Sequence, residues 1–195
     1  MSIETAAELE ALKAVGRVVA AAIREMSASV RPGVSTAELD QIGGEVFRSF
    51  GAQSGPQLDY DFPGINCISV NDEAVHGIPG DRRLVEGDLV KLDVTAELDG
   101  FYADACVSVP VGTVAASVTA LVASARRALD RAMAIAQAGA PLNLIGATVE
   151  QSVTSDGYGI CRELTGHGIG RSLHEEPFVP NFFVPSLTEP LTEGR

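Results

Sequence analysis

The sequence has no tryptophan, and its 14 basic residues are outnumbered by 26 acidic ones, which gives a net charge of −12. This deficit of positive charge argues against direct binding to a nucleic acid or to an anionic membrane surface, because both need basic residues that neutralise phosphates. No stretch reaches the roughly 20 apolar residues of a membrane span. Hydrophobic residues make up 46% of the chain, so we expect a globular protein whose acidity suits cations or amino termini.

Cysteine is also scarce, with an odd number of three residues at Cys67, Cys106 and Cys161 and no CxxC motif. Their strand-like surroundings favour reduced, buried thiols of a cytosolic protein over a disulfide framework. The N-terminal sequence MSIETAAELEALK lacks the basic start and apolar centre of a signal peptide. We therefore expect a cytoplasmic protein in which residues 1–195 form a single domain.

Helical periodicity and capping signals predict four helices separated by Gly- and Pro-rich breaks. The helices are expected from Thr5 to about Ser29, from a capping box at Ser35 and Glu38 to about Phe50, from Val114 to about Ala138, and from a cap at Asn143 to about Thr154. Between and after them we expect a loop over 51–64, a strand, turn and strand over 66–75, a strand over 161–164, and a loop after Pro177.

Residues 89–109 alternate in the manner of a β-hairpin, and Asp99-Gly100 is a preferred dipeptide for its type I′ turn. Counting by twos from this turn puts Asp93 and Asp104 on one face as a diagonal pair, with Cβ atoms roughly 7 Å apart. The opposite face is apolar and is predicted to be core. Two carboxylates this close repel each other unless they share a proton or a cation.

The three histidines, His76, His167 and His174, all lie in Gly-rich or acidic loops beside predicted strands. The helical zinc motif HExxH is absent, because His174 heads the sequence His-Glu-Glu-Pro. Asp93, Asp104 and His167 together form a ligand set that suits manganese, iron, cobalt or zinc better than a thiolate site would. The alternative is a hairpin whose aspartates are merely solvated.

The predicted order of elements repeats: long helix, break, short capped helix, turn, strand and a His-Gly-Ile loop. The order ends first at His76 and again at His167, which indicates an internal duplication. The first copy is followed by the hairpin, so a second hairpin is expected after the second copy. We therefore expect the domain to be incomplete at its C-terminus.

Three motifs, SVNDEAVHGIP, KLDVTAELDGFYADACVSVPVG and LTGHGIGRSLHEEP, occur in an order that resembles the type I methionine aminopeptidases over essentially the whole chain. The resemblance implies the pita-bread fold, an internally duplicated α/β (α+β) domain with a curved, mostly antiparallel sheet covered by helices. It also implies a metalloenzyme that removes the N-terminal methionine from nascent proteins when the second residue is small.

The resemblance assigns roles to the residues singled out above. Asp93, Asp104 and His167 would be metal ligands for two divalent ions, with Asp104 bridging them, and the ions would be cobalt, manganese, iron or zinc. His76 would contact the scissile amide, and His174 would bond the substrate carbonyl as it becomes tetrahedral. The family lines its methionine pocket at the positions of two further residues, for which plain core packing is the alternative: Phe62 and Cys67.

The family completes its metal site with two glutamates on strands beyond the HEEP motif, and this sequence contains no matching strand. Four glutamates follow that motif's histidine without occupying those places: Glu175, Glu176, Glu189 and Glu193. Two alternatives therefore stay open, namely a related Xaa-Pro peptidase and a metal-deficient binding module. The expected partner is the N-terminal methionine of nascent polypeptides, and docking on the ribosome is left open.

Overall fold

The computed structural model describes residues 3–194, and they form two compact units. The first unit comprises residues 5–118 and 169–173, and the second comprises the remaining described residues, 3–4, 119–168 and 174–194. Eleven elements follow in chain order: α1 (Ala6–Ser29), α2 (Thr36–Phe50), β1 (Gln53–Ser54), α3 (Gly55–Tyr60), β2 (Cys67–Val70), β3 (Leu89–Leu98), β4 (Phe101–Pro110), α4 (Ala116–Ile135), α5 (Asn143–Ser155), β5 (Thr165–Gly168) and β6 (Glu175–Pro180).

The first two helices begin close to the predicted residues, and each begins with a capping box, of which only the second is predicted from the sequence. Thr5 caps α1 by accepting a hydrogen bond from the backbone of Glu8, whose carboxylate accepts one in return. Ser35 and Glu38 make the same reciprocal pair at the start of α2. Each box satisfies two backbone N–H groups that a helix start would otherwise leave unpaired, so both starts are local properties of the sequence.

The sheet of the first unit is built around β3, which pairs antiparallel with β1 and β2 along one edge and with β4 along the other. The predicted hairpin is confirmed residue by residue, with Leu98 opposite Phe101 and Thr95 opposite Asp104. Its turn residues, Asp99 and Gly100, have φ values of 52° and 82°, the left-handed conformation that a type I′ turn requires.

The core of the first unit lies between α1, α2 and the apolar face of the sheet. From β3 it takes Val90, Leu92, Val94 and Ala96, which are all fully buried, as predicted. The prediction is wrong for the far part of β4, because Ala105 is exposed. In this unit β4 pairs with β3 alone, so its outer side chains have fewer neighbours.

A half-buried carboxylate ties α2 to the start of β2. Asp40 accepts hydrogen bonds from the backbone N–H groups of Ile65 and Asn66 and from the Asn66 side chain, at 2.7–3.0 Å. Asn66 is fully buried. These three bonds fix where β2 enters the sheet, since a buried amide without partners is costly.

Several local predictions are wrong. The expected loop over 51–64 contains β1 and α3, because Ser54 accepts a hydrogen bond from the Gln57 backbone and Pro56 occupies the first turn. The second strand expected before Val75 does not form, since the chain turns at Asn71, whose φ is 56°. In the second unit, residues 161–164 form a turn ahead of β5.

The second unit consists of α4, α5 and a two-stranded antiparallel sheet of β5 and β6. The strand β6 occupies part of the loop expected after Pro177. Helix α5 begins at Asn143, one residue after Leu142, which makes no side-chain cap bond, so the predicted Asn143 cap is wrong. Asp156, just after α5, accepts hydrogen bonds from Ser124 and Arg127 of α4, and these join the two helices.

None of the helices in the described part of the chain combines the length and apolar character that crossing a bilayer requires.

Candidate metal centre

The face of the first unit's sheet opposite its core carries the predicted carboxylate pair. Asp93 of β3 stands opposite Cys106 of β4 on one side and Cys67 of β2 on the other. The next outward position of β3 is Thr95, which stands opposite Asp104. Asp93 and Asp104 therefore share a face in the diagonal relation that the sequence predicts, held there by paired strands.

The two carboxyl groups interact strongly. Burial, then the negative charge of Asp104, then a hydrogen bond between the two carboxyl groups raise the pKa of Asp93 to about 7. All three causes favour the protonated form of Asp93, because a charged carboxylate here would lose hydration and would lie beside a second negative charge. A site that holds a proton against such repulsion is also one where a divalent cation is favourable.

Thr95 orients the second aspartate. Its hydroxyl, on a side chain that is only 5% exposed, donates a hydrogen bond to Oδ1 of Asp104 at 2.8 Å. A single bond to one oxygen fixes the rotation of the carboxylate and directs its remaining lone pairs. The sequence pattern predicts that Thr95 lies on this face but does not by itself predict a role for it. The feature that indicates the role is its position, two residues after Asp93 and opposite Asp104.

Cys67 lies in β2 beside the aspartates and is buried. Burial, followed by the charges of Asp93 and Asp104, raises the pKa of its thiol to about 12. The side chain is therefore a neutral, apolar neighbour of the site at physiological pH. Phe62 follows α3, is half-buried, and donates its backbone N–H to the carbonyl of Pro56.

His76 lies in the loop between β2 and β3. Its side chain is exposed and its φ is 57°, which is uncommon for a residue other than glycine. The next residue, Gly77, pairs with β2: its N–H donates to Oγ of Ser69, and its carbonyl accepts from the N–H of Ile68. A Cβ at Gly77 would collide with the Ile68 carbonyl, so this close approach requires glycine.

His167 and His174 lie together in the second unit, on β5 and just before β6. Their rings are 4.2 Å apart between centroids and tilted by 55°. Nδ1 of His167 lies 2.9 Å from the carbonyl oxygen of Gly168. Because a carbonyl can only accept, Nδ1 carries the proton and the lone pair of the ring is on Nε2, the form in which an imidazole ligates a metal.

Within residues 3–194, no three or more His, Cys, Asp and Glu side chains converge closely enough to hold a metal ion. The structure thus brings Asp93 and Asp104 together, and it brings His167 and His174 together. The chemistry of the carboxylate pair nevertheless fits a divalent cation, since such an ion would compensate the repulsion between two neighbouring carboxyl groups. His167 as the third ligand remains a prediction.

Comparison with known proteins gives the same picture. Residues 10–195 match the model of metallopeptidase family M24. Methionine aminopeptidase 2 of Bacillus subtilis is 45% identical over 180 residues, which are 91% of this chain and 72% of that protein. Methionine aminopeptidase of Staphylococcus epidermidis is 42% identical over 197 residues, with coverage of 100% of this chain and 78% of that protein.

Solved structures agree with these relatives. The methionine aminopeptidase of Rickettsia prowazekii superimposes with a TM-score of 0.94 at 33% identity and covers 100% of this chain and 79% of that one. An X-Pro aminopeptidase from Thermotoga maritima, at 24% identity and a TM-score of 0.80, shares the fold alone. The predicted pita-bread architecture and the resemblance to methionine aminopeptidases are thus confirmed, and the use of divalent metal follows from the family.

Proposed function

Because the chain belongs to metallopeptidase family M24, we propose that it removes the N-terminal methionine from polypeptides whose second residue is small. The observation that carries this proposal is the pair of Asp93 and Asp104, two carboxyl groups held on one face of a rigid hairpin, where burial and then the charge of Asp104 raise the pKa of Asp93 to about 7. The relatives named methionine aminopeptidase support it over the Xaa-Pro alternative, for which the likeness extends to the fold alone.

Asp93, Asp104 and the Nε2 atom of His167 are the proposed protein ligands of two divalent ions, whose identity among cobalt, manganese, iron and zinc is left open. Bound ions of this kind supply Lewis acidity that activates water and polarises a peptide carbonyl. The chain's own contribution is to present the two carboxylates in fixed directions, with Thr95 holding Asp104. A neutral Cys67 thiol beside them keeps competing charge away.

Four further residues are proposed to act on the substrate. His76 would hydrogen-bond the scissile amide, and His174 would donate to the carbonyl oxygen as negative charge develops on it. Phe62 and Cys67 would contribute apolar surface to the methionine side chain. The exposed position of His76 in its loop and the half-buried position of Phe62 are compatible with contact to a ligand.

The proposed substrate is a newly made polypeptide, so we propose a cytoplasmic location and a transient encounter with the ribosome. The strongly acidic character of the chain disfavours direct binding to ribosomal RNA, because a protein with a net charge of −12 is repelled by phosphates. Co-sedimentation with translating and with empty ribosomes would test this part separately from catalysis.

The decisive assay is release of methionine from Met-Ala-Ser by the metal-free protein after addition of Mn²⁺ or Co²⁺. We expect turnover that depends on the added metal and is abolished in Asp104→Asn. A matched control is Asp81→Asn, an exposed aspartate outside the site, which should keep full activity. Metal bound without any turnover would refute the proposed activity.

The two alternatives predict different results in the same assay. An Xaa-Pro peptidase would cleave Ala-Pro faster than Met-Ala, whereas the proposed enzyme would show the reverse preference. A metal-deficient binding module would fail to bind Mn²⁺ tightly in calorimetry. Stoichiometric, tight binding that Asp93→Asn removes would exclude that module.

A further inference from the structure

The amino group of Lys91 is bound by the loop that carries His76. Lys91 is the outward residue of β3 immediately before Asp93, in register with Ser69 of β2 and Ser108 of β4. Its Nζ donates one hydrogen bond to the backbone carbonyl of Asn71 at 2.7 Å and another to the backbone carbonyl of Glu73. The ammonium group of Lys91 thus binds two backbone carbonyls of the same turn.

The sequence makes this use of lysine unusual. Lys13 and Lys91 are the only lysines in the chain, and all its other basic residues are arginines. Lys13 is a surface residue of α1 that pairs with Glu10. An ammonium is a compact charge whose three donors can meet two carbonyls converging on one point, whereas a planar guanidinium spreads its donors over a wide fork.

The turn is anchored on both sides of this ammonium. On one side, the Asn71 side chain donates a hydrogen bond to the Asp88 carboxylate and accepts one from the backbone N–H of Leu89. The Glu73 carboxylate accepts from the backbone of Val70 and from Arg82. These contacts and the Lys91 ammonium together hold residues 71–73 at the end of β2.

On the other side, Gly77 is bonded to β2 through Ile68 and Ser69. Only Ala74, Val75 and His76 lie between the two anchors, and all three side chains are exposed. A left-handed residue such as His76 persists only when its surroundings hold the backbone on both sides. On the N-terminal side Lys91 contributes to that hold by binding two backbone carbonyls, and it does so from the same strand that carries Asp93.

We propose that Lys91 is a positioning residue that fixes the His76 loop relative to the aspartate pair. The ammonium tethers the carbonyls of Asn71 and Glu73 to the strand of the proposed metal ligand, so the direction of the imidazole is set by the sheet. The role of His76 in catalysis rests on the proposed function, whereas the tether itself is a property of the fold.

The test compares Lys91→Met, Lys91→Arg and the matched control Lys13→Met in the full chain. The first readout needs no activity: backbone amide exchange over residues 71–77 and the ring signals of His76, one of only three histidines. We expect exchange in Lys91→Met to speed up about tenfold or more, with Lys91→Arg intermediate and Lys13→Met unchanged. Lys91→Gln, which keeps an amide donor, replaces Lys91→Met if the latter does not fold.

The second readout is kinetic. We expect kcat/KM for Met-Ala-Ser to fall about 30-fold in Lys91→Met, mainly through kcat, while Mn²⁺ affinity stays within about twofold. Unchanged exchange and unchanged His76 signals would overturn the inference even if the enzyme is active. If exchange is faster in Lys91→Met but the wild-type protein has no peptidase activity, the tether stands and the proposed function is refuted. A parallel loss of Mn²⁺ affinity in Lys91→Met would show that Lys91 supports Asp93 rather than the loop.

Discussion

Replacing Asp93 by asparagine should stabilise the metal-free protein at alkaline pH and abolish its stabilisation by metal. The folded protein raises the pKa of Asp93 from 3.8 to about 7, chiefly by burial and then through Asp104. Between these two pKa values the folded state keeps a proton that the unfolded chain has lost. Stability contributed by this group is therefore present below pH 4 and is lost as the pH rises through 7.

The size of the effect follows from the shift. A rise of about three pKa units corresponds to about 4 kcal/mol of free energy of unfolding once the pH exceeds both values. Asparagine carries no charge at any of these pH values, so Asp93→Asn should avoid this loss. The stability difference between Asp93→Asn and the wild type should therefore grow by about 2–4 kcal/mol in favour of the variant between pH 5 and pH 8.

Urea unfolding in the presence of EDTA, followed by far-ultraviolet circular dichroism because the chain has no tryptophan, measures this difference. Added Mn²⁺ should then reverse the order, since a ligand that binds only the folded wild type stabilises it and leaves Asp93→Asn unaffected. The exposed Asp81→Asn should track the wild type at every pH. A difference that stays flat or shrinks as the pH rises would refute the account of the carboxylate pair.

Three further outcomes are expected. Thr95→Val, which removes the hydroxyl bonded to Asp104, should weaken Mn²⁺ binding about tenfold in calorimetry, and Thr95→Ser should restore it. Asp40→Ala should lower the free energy of unfolding by about 3 kcal/mol, because it leaves buried N–H groups without their acceptor; an unchanged urea midpoint would contradict this. Cys67, with its pKa raised to about 12, should resist iodoacetamide at pH 8 in the folded state, while the exposed Cys161 reacts, as peptide mass spectrometry would show.

The parts of the fold that sequence predicts correctly are those whose cause is local. The register of the hairpin follows from a two-residue turn and a period of two, and both act over neighbouring residues. The start of α2 follows from a capping box that spans four residues, and the start of α1 follows from apolar residues at helical spacing. No distant contact has to be known for any of these, and all are confirmed.

The parts that sequence predicts wrongly depend on partners far along the chain or on weak local signals. Residues 66–75 are predicted to form a strand, a turn and a second strand, but the second strand is absent because Asn71 bonds to Asp88 and Lys91 binds carbonyls of the turn. Helix α3 is missed because it starts with a Gly-Pro pair, and the same dipeptide is typical of loops. For the site, the aspartate pair was predictable, but the Thr95 bond and the Lys91 tether depend on side-chain directions that a pattern does not encode.

Side chains along β3 alternate between the two faces of the sheet, which explains why this one strand provides several polar residues near the proposed site. Successive outward positions of β3 are Lys91, Asp93 and Thr95, which respectively hold the His76 loop, carry a proposed ligand and orient Asp104. The alternate positions that bracket Asp93, Leu92 and Val94, are fully buried. A slip of one residue would force these polar side chains into the core, at a cost of several kcal/mol for each unpaired charge. The packing of the apolar face therefore enforces the geometry of the functional face, and a variant that loosens the core at Leu92 should lose metal affinity as well as stability.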